Sequence, residues 1–180
     1  APSTFTPFPR IRDQFWDISD NFWTSVGRTL MHGNGTTGTK TPVEHHAVRR
    51  WTSDFAGGAY GAVRLDRLDY RGNGVLMKIL AQNGSLIEDR FLAANDGNGE
   101  EMYVPITLKL GQRLDFALDP INGDDAFDST DVRIEVYSGR RVNGQLGIEG
   151  RESLPSGTPV SVQVVQPGYI EEVDRVSLDA

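Results

Sequence analysis

Residues 102–110 read Met102-Tyr103-Val104-Pro105-Ile106-Thr107-Leu108-Lys109-Leu110, with an apolar side chain at every second position. Successive side chains of an extended chain point to opposite faces, so Met102, Val104, Ile106, Leu108 and Leu110 fall on one face. That pattern predicts a half-buried β-strand, because a helix would scatter the same residues around its axis. A two-residue turn, Gly111-Gln112, leads into Arg113-Leu114-Asp115-Phe116-Ala117-Leu118, which alternates again. Working outward, Val132, Ile134 and Val136 alternate in the same way. Asn73-Gly74 opens the strand Val75–Ala81, and Asn83-Gly84 is a hairpin signal in which both turn positions are expected to take positive φ.

Roughly nine or ten such strands, at spacings near a dozen residues, predict an all-β fold: an antiparallel two-sheet β-sandwich of the jelly-roll type. Residues 1–10 are proline-rich and read as an extended leader or linker, and residues 11–180 as a single β-sandwich domain. Between Ile11 and Met31 the pairs Phe15-Trp16 and Phe22-Trp23 recur seven residues apart. Aromatic content and Asp20-Asn21 there favour short strands or irregular chain over a helix. In Ala47–Thr52, Val48 and Trp51 are three apart and cannot share a face of a regular strand, so a bulge or an exposed residue is expected, with Trp51 outside.

Composition narrows the function. The 180 residues carry a net charge of −7, which argues against nucleic acid or anionic membrane as partner. No apolar run approaches the roughly 18 residues a membrane-spanning helix needs. There is no cysteine, which excludes thiol chemistry, disulfides and cysteine-bound metals. Fifteen of the eighteen basic residues are arginine, a side chain suited to planar contacts with carboxylates and sugar hydroxyls as well as to salt-bridging between strands. The chain opens on Ala1, as after removal of a signal peptide or trimming of a longer chain.

Three constellations could carry chemistry. The loop Asp119–Thr130 holds Asp119, Asp124, Asp125 and Asp128, an oxygen-rich set that suits a structural calcium ion, although an ordinary turn uses the same residues. Asp119, Asp124 and Asp128 are the candidate ligands, and no cofactor is otherwise expected. His45-His46 is the only histidine pair; adjacent strand residues point to opposite faces, so the pair cannot chelate one ion. Trp16, Trp23, Trp51, Tyr60, Tyr70 and Tyr103 are candidates for stacking on the apolar faces of sugar rings, with Arg, Asp, Asn and His as hydroxyl partners. Nucleophile-elbow, zinc-helix and phosphate-loop motifs are missing, and the carboxylates offer only chance pairs for hydrolysis.

The segments HHAVRRWTSDFAGGAYGAVRL, GNGVLMKILAQNGSLIEDRFLAAND and LKLGQRLDFALDPINGDDAFDST, in that order over residues 45–137, resemble carbohydrate-binding-type jelly-roll modules of secreted bacterial polysaccharide-degrading or surface proteins. The resemblance implies a noncatalytic module, secreted to an extracellular or periplasmic location, that tethers a larger enzyme or a cell surface to polysaccharide. On that expectation Trp51 and Tyr70 stack, Arg49 and His46 hydrogen-bond, and Asp128 lines the site. The alternatives are a structural or adhesive domain of a surface protein, or a small polysaccharide lyase or hydrolase.

Overall fold

The computed structural model describes residues 7–12, 15–37, 40–142, 145–148, 160–163, 170–173 and 175–177. Residues 1–6 of the expected leader lie outside them, while Phe8 packs against the core. In chain order the strands are β1 (Arg10–Arg12), β2 (Phe15–Asp17), β3 (Ser25–Val26), β4 (Leu30–His32), β5 (Ala47–Thr52), β6 (Gly57–Arg67), β7 (Val75–Ala81), β8 (Leu86–Leu92), β9 (Glu100–Leu108), β10 (Arg113–Asp119), β11 (Thr130–Val142), β12 (Gln145–Ile148), β13 (Val160–Gln163), β14 (Ile170–Val173) and β15 (Arg175–Ser177). No helix among the described residues is long and apolar enough to cross a membrane.

The larger sheet runs β1-β2-β3-β4-β11-β6-β9, with β12 and β15 also paired to β11; the smaller runs β5-β10-β7-β8. Counted from β4, the strand order is first-eighth-third-sixth in one sheet and second-seventh-fourth-fifth in the other. That is the jelly-roll order, with the chain crossing between sheets at nearly every connection. A separate pair, β13-β14, completes the strands. The aromatic segment after Ile11 is thus three very short strands, β2 to β4, that extend the larger sheet at its edge.

Alternation explains which side chains meet. Along β9, Met102, Val104, Ile106 and Leu108 are buried while Tyr103, Pro105 and Thr107 are exposed. Opposite them across the sandwich stand Leu114, Phe116 and Leu118 of β10 and Val75, Met77 and Ile79 of β7, all fully buried. The inward series on β9 stops one residue pair early, since Leu110 is 71% exposed. The reason is that residues 109–112 form a turn between sheets rather than a hairpin. Gln112 N–H donates to Lys109 O at 2.9 Å, and Gly111 takes φ +76. At Asn83-Gly84 the hairpin forms, but only Gly84 lies in the left-handed region. Gly84 N–H closes the turn on Ala81 O, while the Asn83 side chain accepts from Ser85 N–H.

β5 corrects the expectation for Trp51. The strand is regular, with Ala47, Arg49 and Trp51 inward and Val48, Arg50 and Thr52 outward. Trp51 is only 8% exposed and packs on Phe55 with ring centroids 6.1 Å apart. The larger aromatic takes the core and the smaller Val48 is left half-buried outside, because burial of Trp removes more apolar area from water.

Candidate functional site

Arg49 follows Trp51 inward and is also buried. Its Nη1 donates to Val132 O at 2.7 Å, and its Nη2 donates to Gly27 O at 2.8 Å and Arg28 O at 2.9 Å. Burial pulls its pKa down to about 10. These bonds tie the turn between β3 and β4 to β11, so Arg49 is a fastener inside the sandwich and not a sugar contact. Asp128 is likewise sealed in, with Oδ1 3.3 Å from Nη1 of buried Arg67. The His46 side chain is 8% exposed, and Nε2 faces Glu44 and Asp119. Of the expected ligand contacts only Tyr70, at 61% exposure, is open to solvent.

The expected metal ligands also separate. Asp119 sits on the outer face of the smaller sheet, paired with Lys78 and close to His46. Asp128 is in the sandwich, and the Asp124 side chain accepts from Ala126 N–H at 3.0 Å. Among the described residues, Glu44, His46 and Asp119 are the metal-ligating side chains that converge.

What the fold does build is a wide groove at one end of the larger sheet. It encloses about 730 Å3 and is lined by Phe15 of β2, Trp23, Ser25 of β3, Leu30 and His32 of β4, and residues of the 68–69 and 125–129 loops. Trp23 is 47% exposed and Phe127 42%. A volume of this size is that of a small-ligand pocket, about 300–1,000 Å3.

Each wall has an identifiable anchor. Trp23 is held by its backbone N–H, which donates to Asn34 Oδ1 at 2.9 Å. The Asn34 side chain is fully buried, and its amide nitrogen reaches Gly35 O, Thr41 O and Val43 O. One face of the indole carries Lys40 Nζ, 3.7 Å from the ring centroid. The 68–69 and 125–129 loops are organised by Arg67, whose guanidinium donates to Asp69 O, Arg71 O and Phe127 O. Phe127 sits at φ +67, a conformation a bulky residue rarely adopts and one that costs roughly 1–3 kcal/mol. The bond to Arg67 and the Arg71 guanidinium, 3.8 Å from the ring centroid, hold it there with its ring in solvent.

The polar groups of the groove are few and directed. His32 Nδ1 lies 2.5 Å from Gly33 O, which can only accept, so Nδ1 carries the proton. Burial holds the His32 pKa below the ordinary imidazole range, leaving Nε2 as a neutral acceptor. Asp69 is engaged by Arg71, and its carboxyl is held down at about 2, chiefly by that side-chain hydrogen bond. Asp125 accepts Gly35 N–H at 2.8 Å. Gly35 has no room for a side chain, since a Cβ would lie 2.1 Å from Gly123 O. Trp23 belonged to the aromatic set singled out in the sequence. Phe15, His32, Leu68 and Phe127 did not, and the one signal for Phe127 was a lone aromatic inside a run of Asp and Ser.

Comparison with known protein families and with curated proteins finds no match to this chain.

Proposed function

We propose that the chain is a noncatalytic carbohydrate-binding module whose site is the Trp23–Phe127 groove. The observation that carries this is two exposed aromatic rings lining one groove, one of them on a strained backbone. Sugar rings present apolar C–H faces to such platforms, while their hydroxyls need a small number of fixed donors and acceptors. Ser25, Ser129 and His32 line the groove and offer such groups. Both groove carboxylates already have partners, Asp69 with Arg71 and Asp125 with Gly35, which favours binding over acid–base hydrolysis. On this reading the module is secreted and raises the effective concentration of an attached enzyme or surface at its polysaccharide.

A glycan array probed with the whole chain tests this. Trp23→Ala and Phe127→Ala should each weaken retention by at least about tenfold, the loss of one stacking contact. Tyr70→Ala should leave retention unchanged, because Tyr70 does not line the groove. Retention that survives both groove substitutions in folded protein would move the site elsewhere, and no retention on any glycan would remove the function.

A further inference from the structure

We propose that Glu44, His46 and Asp119 form a binding site for a first-row divalent metal ion, zinc foremost, on the outer face of the smaller sheet. His46 precedes the first residue of β5, and Ala47 is the register partner of Leu118 on antiparallel β10. That register places His46 beside Asp119, and Glu44, two residues earlier, comes to the same side. His46 Nε2 is 3.2 Å from Glu44 Oε1 and 3.5 Å from Asp119 Oδ1, and the three ligand atoms all lie within 4.8 Å of one another.

Those separations match a tetrahedral site. Bonds of about 2.0–2.1 Å to nitrogen and oxygen give ligand–ligand edges of about 3.3–3.4 Å. The carboxylate pair closes by rotation of Glu44, whose side chain is 48% exposed. A single N–H on Nε2 cannot serve both carboxylates well, whereas a dication between the three atoms serves all of them.

The second observation is the state of His46 itself. Its side chain is more than nine-tenths buried, with Nε2 aimed into the cluster, and its Nδ1 has no hydrogen-bond partner. A metal bond at Nε2 fixes the proton on Nδ1 and leaves that buried N–H without an acceptor, a cost that the bonds to the ion must exceed. An imidazole plus two carboxylates selects zinc and its neighbours over calcium, which prefers oxygen alone. Lys78 supplies the outer contact a ligating carboxylate needs, since Nζ bonds Asp119 Oδ2 and leaves Oδ1 toward the site. The ion would fasten the chain entering β5 to the end of β10, from which the 120–129 loop departs. The inference does not depend on glycan binding.

The test is titration of the whole chain with Co2+, followed by the visible absorption of four-coordinate cobalt and by displacement with Zn2+, alongside melting with and without Zn2+. One equivalent should bind, Zn2+ should raise the melting temperature, and His46→Gln should lose both responses. Glu44→Gln alters a largely exposed side chain, so it should melt like the wild type without metal and bind at least tenfold more weakly. No cobalt spectrum and no zinc-dependent melting shift in the wild type would overturn the site. So would undiminished zinc affinity in both Glu44→Gln and Asp119→Asn, which would place the ion at His32 or His45.

Discussion

Replacing Phe116 by alanine is expected to lower the unfolding free energy by about 3–5 kcal/mol, the loss typical of a buried aromatic cut back to a methyl group. Phe116 lies in β10, between β5 and β7 in the middle of the smaller sheet, and has no solvent exposure. Its ring crosses the sandwich toward β6. A Cβ on Gly61 would lie 4.0 Å from Phe116 Cε1, ordinary contact, and 3.3 Å from Ile106 Cδ1, so the ring packs against the backbone of β6 at Gly61 beside Ile106. Both neighbours of β10 are hydrogen-bonded strands, and neither can shift to close the hole without breaking its ladder. The cavity therefore stays open, which puts the loss at the upper part of the range for large-to-small changes. Urea unfolding of the whole chain measures it, and Phe116→Leu should lose markedly less. A loss under about 1.5 kcal/mol for Phe116→Ala would mean that the sheets slide together, against the rigidity assigned to them.

Long alternating strands were readable because one face of each is buried and the period of two leaves a trace in composition. β9, β10 and β11 fall where that trace lies, and the jelly-roll class follows from many such strands. Register across strands left no trace of its own. Whether Val48 or Trp51 faces inward depends on what stands opposite, and for Arg49, which shares the inward face with Trp51, the partners Val132, Gly27 and Arg28 are far away in sequence. Arg49 is illegible for the same reason: an inward arginine breaks the apolar alternation, and its acceptors are backbone carbonyls that carry no residue identity. The groove was hidden by the brevity of β2, β3 and β4, two or three residues each, too short to show a period. Phe127 required knowing that its loop folds back over Arg67. Asp119 meets His46 only through strand pairing, which the composition of the acidic loop does not show.

Arg67 and Asp128 form a buried ion pair with both side chains fully removed from solvent, and Arg67→Met is expected to destabilise the chain by about 3–5 kcal/mol at pH 8. The pair is unequal. Arg67 also bonds three carbonyls, whereas Asp128 has only Oδ1 near a donor, and its Oδ2 is buried without a partner. Burial therefore outweighs the attraction of Arg67, and with Asp124 and Asp125 adding repulsion the Asp128 pKa rises from the ordinary 3.8 to about 7. A carboxyl whose pKa is higher folded than unfolded binds more protons in the native state. Its contribution to stability is fully present below pH 3.8 and is lost as pH rises through about 7. Asp128→Asn keeps an oxygen for Arg67 and removes the titration. The stability of wild type minus that of Asp128→Asn should thus fall between pH 4 and 7, by at most about 1.4 kcal/mol per pH unit. The damage done by Arg67→Met should shrink on acidification from pH 8 through about 7 and level off below, because Asp128 without Arg67 titrates higher still and a protonated carboxyl needs no counter-charge. Urea unfolding of the three proteins across that range decides the matter. A wild-type advantage that grows with pH would show the ion pair prevailing over burial, and the wall that positions Phe127 would then rest on a charge pair at neutral pH.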